Sequence, residues 1–316
     1  SRGGSMNLME CIKLIPEKTK LIFDEYETMK LKLEDAYTDD LEGLVIVGSG
    51  SSYNTGLILK HFIQSELGLK VELHLPNDFV NFENLDFLKK NTMYVFLSQS
   101  GMTTLVVEAE KMVREKGFKT VSFTENPDSI LSLASDYAFD IQTDKEKYRF
   151  RTVGVTNTVL SLLLSVIAVS RNIGRISESQ ETSYLKTLKS NLDTLEQVRI
   201  DSEAWFYDHI EKLSQCETFI FTAAGSNWPI VKEAEIKFME MLPALTQSFE
   251  LEELVHGPQN AFGENQGFFI LADENTQFEK AKQTQKFIEE AVGARAFLIE
   301  ENTIPSFPKL NKFSFL

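Results

Sequence analysis

The sequence is poor in cysteine and in positive charge, and each shortage excludes a class of function. Its two cysteines, Cys11 and Cys216, lie far apart and lack the paired spacing of a zinc site or a disulfide framework. This usage is typical of a reducing compartment and predicts a cytoplasmic protein. The 32 Lys and Arg residues against 47 Asp and Glu residues give a net charge of −15, which repels the phosphate backbone of nucleic acids. We therefore expect no nucleic-acid partner and no metal site.

Long apolar runs are also scarce, and only residues 153–170 approach the length of a membrane span. Five polar side chains interrupt that run: Thr156, Asn157, Thr158, Ser161 and Ser165. We therefore interpret it as a buried core helix and expect no membrane partner. Residues 1–5, which precede Met6, lack the charged-then-apolar pattern of a signal peptide and are interpreted as a cloning remnant.

The chain has the length and composition of two globular domains, with 316 residues, 42% of them hydrophobic and 25% charged. Short apolar runs alternate with helical stretches in both halves, which predicts an α/β fold of two tandem domains, each a doubly wound, mainly parallel sheet flanked by helices. The predicted strands are 44–47, 71–75, 93–97, 119–123 and 137–141, then 218–222, 244–249, 267–271 and 295–299, with helices at 229–241 and 276–292. The predicted boundaries are 1–40 for the remnant and a helical arm, 41–175 and 215–316 for the domains, and 176–214 for a helical linker.

Two loops rich in hydroxyl groups follow strands of the first domain. The first hydroxyl loop, residues 48–53, reads Gly-Ser-Gly-Ser-Ser-Tyr between a strand and a helix, where backbone N–H groups can bind an anion. It lacks the third glycine of a dinucleotide fingerprint and the Gly-Lys-Ser/Thr of a P-loop. The second hydroxyl loop, residues 98–104, supplies four hydroxyls and an amide, whereas a helix cap needs only one hydroxyl. Either loop alone could be an ordinary turn, but together they predict a site for an oxygen-rich ligand.

The second domain carries a row of charged side chains followed by a histidine. Glu233, Lys237 and Glu240 share one face of a predicted helix, a spacing that a surface ladder of ion pairs would also produce. His256 precedes Gly257 and Pro258, where it could simply end a helix. The spacing alone therefore leaves both a structural and a catalytic interpretation open.

Taken together, the two hydroxyl loops and residues 228–258 resemble the sugar-isomerase (SIS) domain family over nearly the whole chain. The resemblance is closest to the isomerase half of glucosamine-6-phosphate synthase and to the fructosamine-6-phosphate deglycases, and it implies two tandem SIS domains, each flavodoxin-like, with a small sugar phosphate as ligand. It implies phosphate binding by Ser52, Ser98, Gln99, Ser100 and Thr103. It further implies substrate contacts from Gly50, Ser51, Val155, Asn157 and Glu253.

The same resemblance assigns roles to the charged row of the second domain. Glu240 would be the base that moves a proton between C1 and C2 of the sugar, with Lys237 and Glu233 assisting at the hydroxyls and in ring opening. His256 would be the acid-base group of ring opening and would reach into the partner subunit's site, which implies a homodimer or a higher homo-oligomer. These residue types suit the chemistry, since carbon-acid proton transfer needs a positioned carboxylate and histidine exchanges protons near neutral pH. No cofactor is implied.

Several departures from the family pattern narrow the expected activity. Met102 stands where the family often has glutamate, and Asn157 takes the place of a lysine. The chain shows neither the glutaminase domain with its leading cysteine nor a counterpart of the Schiff-base lysine before Leu316. We therefore expect a glutamine-independent enzyme, either an aldose-ketose isomerase or a deglycase. The alternative is a non-catalytic sugar-phosphate sensor.

A deglycase would also need a pocket for the amino-acid part of its substrate. Lys147, Arg149 and Arg151 could meet that carboxylate, although a solvated basic patch would have the same sequence.

Overall fold

The structure is a computed structural model that describes residues 6–316, so the interpretation of residues 1–5 lies outside the described residues. The chain divides into two compact units, the first ending at Leu192 and the second beginning at Asp193. This division falls inside the segment 176–214 that was predicted to be a linker. Its residues form two helices, one in each unit.

The first unit is a five-stranded parallel sheet covered by helices on both faces. Its strands are β1 (Gly43–Val47), β2 (Lys70–His74), β3 (Thr92–Leu97), β4 (Thr120–Thr124) and β5 (Tyr137–Asp140). Its helices are α1 (Leu8–Lys13), α2 (Ile15–Asp24), α3 (Tyr26–Lys32), α4 (Ser51–Leu67), α5 (Pro76–Asn81), α6 (Thr104–Glu115), α7 (Ile130–Ala134), α8 (Val153–Asn172) and α9 (Glu178–Leu192). The strand order β2-β1-β3-β4-β5 is that of the flavodoxin-like fold. The predicted doubly wound parallel sheet is therefore confirmed.

The central strands read as continuous apolar runs because both of their faces are buried. Val45 and Val47 of β1 pack with Phe96 of β3 in a cluster that includes residues of α5 and α6. Ile46 faces the other side, toward Gly56 of α4, where an added Cβ would lie 3.4 Å from the Ile46 side chain. Alternate residues of β1 therefore pack against helices on opposite faces of the sheet.

Helix α8 is the core helix of this unit. By length and composition it could cross a bilayer, but 89% of its apolar window is buried inside the described structure. Helices α2, α3 and α4 pack against it, so the N-terminal helical arm belongs to the same core. The Tyr26 hydroxyl donates to the Glu181 carboxylate at 2.6 Å, and Lys30 pairs with that carboxylate at 2.9 Å. This buried network joins α3 to α9.

The second unit repeats the plan on a smaller scale. Its elements are α10 (Leu195–Ser214), β6 (Thr218–Ala223), α11 (Trp228–Met241), β7 (Gln247–Glu250), β8 (Gln266–Leu271), α12 (Phe278–Phe287) and β9 (Arg295–Ile299). The strands are parallel in the order β7-β6-β8-β9. Phe219 and Phe221 pack on the α11 face, whereas Ile220 and Phe268 pack on the α12 face.

Two predicted elements of the second unit differ from the structure at their ends. The helix predicted over 276–292 is α-helical only to Phe287, and a π-helical turn, Ile288–Val292, follows it. The strand predicted from residue 244 begins at Gln247, because Leu242 leaves the helical conformation and a turn precedes the strand. Apolar periodicity does not report either change of hydrogen-bond pattern.

Candidate functional site

The two hydroxyl loops leave the same edge of the first sheet. Strands β1 and β3 pair in parallel with Val47 opposite Phe96, so the loops that follow them start side by side. In the order β2-β1-β3-β4-β5, β1 and β3 flank the point where the chain reverses direction across the sheet. Ligands of open α/β sheets bind at this switch point, beyond the carboxyl ends of the strands.

The first hydroxyl loop turns sharply into α4. Gly50 has a φ of +58°, a conformation that favours glycine, and it caps the helix without any side-chain hydrogen bond. A Cβ added to Gly48 would lie 2.9 Å from the Cβ of Ser52, so glycine is required for this close approach. Ser51 and Ser52 stand in the first turn of α4 and are half-buried. The helix therefore presents its positive dipole end at the site.

The hydroxyls of the second hydroxyl loop are tied to one another. The Oγ of buried Ser98 lies 2.8 Å from Oγ1 of exposed Thr103, and the Ser100 Oγ accepts the Met102 N–H at 3.2 Å. Gly101 adopts a φ of +68°, and its N–H donates to the Ser98 carbonyl at 3.0 Å. The result is a compact turn of oxygen atoms at the start of α6.

We expect Gly101→Ala to lower the free energy of unfolding by about 2–4 kcal/mol, because it combines a strained φ with a collision. The added Cβ would lie 2.0 Å from the Oγ of Ser129, which is buried and accepts the Ser132 N–H. Gly117→Ala is the matched control, since Gly117 has a φ of +86° but no heavy atom within 4 Å of an added Cβ. Urea denaturation of both variants measures the two losses. Equal losses would show that the contact with Ser129 contributes nothing.

The Gln99 side chain points into the protein rather than standing free in the loop. Its Nε2 lies 2.8 Å from Oε2 of Glu125 and 2.8 Å from Oε2 of Glu146. Sequence reasoning missed both carboxylates. Glu125 could have been suspected, since it directly follows β4 at the same edge of the sheet, but Glu146 lies in a polar loop without any recognisable motif.

Two residues predicted from the family pattern lie in the first two turns of α8. Val155 is half-buried. Asn157 is completely buried, and its Nδ2 donates to the carbonyls of Ile141 and Lys18 at 2.7 and 3.2 Å. In this structure Asn157 joins α8 to α2 and to the end of β5, so its contact with substrate stays a prediction.

Burial and nearby carboxylates raise the pKa of two acidic groups close to this edge of the sheet. Burial raises the pKa of the Cys11 thiol, and the charge of Glu146 raises it further. Burial likewise raises the pKa of the Asp140 carboxyl, with Asp144 and Glu125 adding to the rise against the hydrogen bond from the Gln142 N–H. A bound phosphate would therefore depend on directed N–H and hydroxyl donors rather than on net charge.

The three cations proposed for an amino-acid carboxylate fall into two groups. Arg151 pairs with the Glu125 carboxylate at 3.4 Å, which already counters its charge. Lys147 and Arg149 are exposed and line a cavity of about 480 Å³. Of the three, these two line the cavity, and Arg151 is not among its lining residues.

The charged row of the second unit forms a compact cluster on α11. The Lys237 Nζ lies 2.7 Å from Oε2 of Glu240 and 3.6 Å from Oε1 of Glu233. The Glu233, Lys237 and Glu240 side chains are 13, 17 and 23% exposed, whereas those of the surface pair Lys111 and Glu115 are 62 and 61% exposed. Burial thus distinguishes this cluster from a surface ladder. Across residues 6–316, no three His, Cys, Asp or Glu side chains group as a metal site would require.

His256 lies in the turns that follow β7. Its side chain is 59% exposed, and its Nε2 lies 3.3 Å from Glu252, a residue that also pairs with Lys280. Glu253 is exposed, and its N–H donates to the Glu250 carboxylate at 3.2 Å. His256 is therefore exposed on the surface of the second unit and does not belong to the cluster of Glu233, Lys237 and Glu240.

Comparison with known proteins identifies the domain that holds the hydroxyl loops. The SIS domain model matches residues 42–169. The glutamine–fructose-6-phosphate aminotransferase (isomerizing) of Haemophilus influenzae is 26% identical over 248 residues, covering 77% of this chain and 40% of the relative. The chain thus spans about two fifths of the length of the curated relatives that it matches first.

Solved structures extend the similarity to the whole fold. A candidate phosphosugar isomerase from Clostridium difficile superposes with a TM-score of 0.85 at 23% identity, covering 97% of this chain and 84% of that one. The C-terminal domain of glucosamine-fructose-6-phosphate aminotransferase from Francisella tularensis superposes with a TM-score of 0.79 at 20% identity, covering 99 and 88%. Residues 42–169 therefore match the SIS domain family, in a chain that shares its fold with this aminotransferase domain and is similar in sequence to the isomerizing aminotransferases.

Proposed function

We propose that this chain is a cytoplasmic phosphosugar enzyme that moves a proton between C1 and C2 of a ketose or ketosamine 6-phosphate, without using glutamine. The observation that carries the proposal is the half-buried cluster of Glu233, Lys237 and Glu240. A sensor needs no carboxylate held by a lysine in this way. The second unit would be a second SIS domain, and the active form would be a dimer or a higher homo-oligomer.

The phosphate would bind at the two hydroxyl loops. Ser52, Ser98, Ser100 and Thr103 supply hydroxyls, and α4 and α6 begin there without side-chain caps. Hydrogen bonds to a charged acceptor are about twice as strong as neutral ones, so a few directed donors can hold a dianion without a nearby cation. Gly50 and Ser51 would contribute through the same helix start.

Glu240 would act as the base. Starting from a ketose, its carboxylate takes a proton from C1, and the C–H electrons form the C1=C2 bond of an enediolate with its charge on O2. A proton then passes from O1 to O2, and the carboxyl group returns its proton to C2 to give the aldose. The Lys237 ammonium would counter the negative charge that develops on the substrate oxygen, while Glu233 holds the lysine from its other side. Glu253 and Val155 would contact the sugar, and His256 would open the ring.

The proposal is tested by incubating the protein with fructose 6-phosphate and with fructoselysine 6-phosphate in deuterated water, followed by NMR. Aldose formation or deuterium at C1 or C2 of the plain sugar indicates an isomerase. Release of lysine from the second compound indicates a deglycase. Binding of both compounds without exchange or release would contradict the enzymatic proposal and favour a sugar-phosphate sensor.

A deglycase is the second candidate, because Lys147 and Arg149 line an open cavity in the same unit as the hydroxyl loops. We expect the double substitution Lys147→Ala/Arg149→Ala to weaken binding of fructoselysine 6-phosphate about tenfold, since each exposed ion pair is worth up to about 1 kcal/mol. Binding of fructose 6-phosphate should not change. Calorimetric titration of both ligands measures the difference, and equal losses would remove this pocket from the proposal.

Replacing His256 should affect cyclic substrates alone. We expect His256→Asn to slow turnover of fructose 6-phosphate by about 10²-fold, the usual lower range for loss of an acid-base group. An open-chain analogue such as 5-deoxyfructose 6-phosphate needs no ring opening and should react at the original rate. Equal slowing of the two substrates would contradict the role in ring opening.

Mixing two slowed variants tests whether the subunits share their sites. Suppose that each site combines Glu240 of one subunit with His256 of its partner. In a dimer of a Glu240→Gln subunit and a His256→Asn subunit, one site then contains both unaltered residues and the other contains both altered ones. Activity should therefore rise on mixing. No recovery in a mixture that sedimentation shows to contain dimers would place His256 and Glu240 of one subunit in the same site.

A further inference from the structure

Gln99 is the residue of the second hydroxyl loop whose side-chain amide nitrogen already donates to two carboxylates. An amide nitrogen carries two hydrogens. The Gln99 Nε2 directs one to Glu125 and one to Glu146, each at 2.8 Å. Its backbone carbonyl accepts the Glu125 N–H at 2.7 Å. Neither amide hydrogen is left to donate to a phosphate.

Glu146 connects Gln99 to the start of α8. One of its oxygens accepts the N–H groups of Thr152 and Val153 at 2.8 Å, and the other accepts that of Gly154 at 3.2 Å. A carboxylate is stabilised there by the helix dipole as well as by these bonds. Gly154 lies directly against the Gln99 amide, because an added Cβ would be 1.9 Å from the Gln99 Oε1.

Glu125 connects Gln99 to the segment before α8, residues 143–152, which we call the strap. The Glu125 carboxylate accepts the Thr143 hydroxyl and the Glu146 N–H, each at 3.4 Å, and pairs with Arg151 at 3.4 Å. The Glu125 side chain is only 6% exposed. Gln99, Glu125 and Glu146 thus form one unit, the clasp, that joins the second hydroxyl loop to the strap and to α8.

We propose that Gln99 is a positioning residue, whose side chain acts through the clasp and does not itself bind the phosphate. The effect on phosphate binding rests on the proposed function, whereas the clasp itself is defined by the contacts among Gln99, Glu125 and Glu146. Turning Gln99 toward a ligand would remove the donor that lies between two carboxylates, and like charges close together repel each other. The clasp therefore holds Ser98 and Ser100 in place, and phosphate binding falls to the hydroxyls and backbone N–H groups.

The rate of trypsin cleavage within the strap reports whether the clasp holds the strap in place, and this measurement needs no ligand. The strap contains Lys145, Lys147, Arg149 and Arg151, so it offers cleavage sites wherever it comes loose. We expect Gln99→Ala and Glu146→Gln each to raise the rate of cleavage within the strap about tenfold. Glu115→Gln, at an exposed surface pair, is the matched control and should leave the rate unchanged. Cleavage at the original rate in both clasp variants would overturn the proposal.

Thermal melting of each variant separates local release from global unfolding. If Gln99→Ala fails to fold, Gly154→Ala replaces it, because its Cβ displaces Gln99 while both carboxylates remain. The expected result is again faster cleavage confined to the strap. An unchanged cleavage pattern in Gly154→Ala would count against the clasp.

Affinity for fructose 6-phosphate measures how Gln99 acts. If Gln99 acts through the clasp, Gln99→Ala and Glu146→Gln should each weaken binding about tenfold. The double variant should then bind no more weakly than the weaker-binding single variant. A direct ligand would instead give additive losses, about a hundredfold in the double variant, and that result would overturn the proposal. If the unaltered protein binds no sugar phosphate, the proposed function fails, while trypsin cleavage still decides whether the clasp exists.

Discussion

Replacing Glu240 by glutamine is expected to slow proton transfer by about 10²–10⁴-fold, the usual contribution of a positioned acid-base group. Glutamine has nearly the same shape, but its amide cannot accept the proton from carbon. Its oxygen can still accept a hydrogen bond from the Lys237 Nζ, which lies 2.7 Å from the present carboxylate. Binding of the sugar phosphate and the fold should therefore survive.

The measurement is deuterium incorporation from solvent into fructose 6-phosphate, with kcat and KM determined separately. Glu279→Gln is the matched control, since Glu279 is an exposed carboxylate on α12 that pairs with Lys282 three residues away. The control should keep the original rate. A Glu240→Gln protein that exchanges deuterium normally would refute the assignment of the base, and a change confined to KM would assign Glu240 to binding.

Ser98→Ala is expected to weaken sugar-phosphate binding by about 10–100-fold, because a hydrogen bond to a charged group contributes about 1.5–3 kcal/mol. The Ser98 hydroxyl is buried in the second hydroxyl loop and lies 2.8 Å from that of Thr103. Its removal takes one donor from the site and also frees the Thr103 hydroxyl from its partner. Stability should change little, since the lost atom is small and the backbone turn remains.

Calorimetric titration with fructose 6-phosphate checks this result. Ser65→Ala serves as the control, because the Ser65 hydroxyl donates to the His61 carbonyl on the exposed side of α4. Only the Ser98 variant should lose affinity. If both proteins bind equally well, the phosphate does not lie at the second hydroxyl loop, and the proposed site would have to be abandoned.

Much of the first unit could be predicted from local pattern. Strands β1 and β3 are buried on both faces, so they appear in the sequence as uninterrupted apolar runs. Gly50 and Gly101 interrupt hydroxyl-rich stretches where the chain takes a positive φ. Runs and turns of this kind depend on neighbours in the chain, which is why their positions and their common edge of the sheet were predictable.

The charge cluster of α11 was only half predictable. Helical spacing places Glu233, Lys237 and Glu240 on one face, but it does not say whether that face meets solvent. The low exposure of all three side chains is a property of the folded chain. The catalytic interpretation therefore depends on the family resemblance and stays a prediction.

The sequence by itself determined the α/β alternation, the two hydroxyl loops and the composition that disfavours nucleic acid. It did so because apolar runs, glycine turns and net charge are local or additive properties. Only the tertiary structure decided that Asn157 is buried and that Gln99 binds Glu125 and Glu146, which lie 26 and 47 residues further along the chain. Contacts at such separations depend on which strand ends and helix starts the sheet brings together, and no local pattern records that.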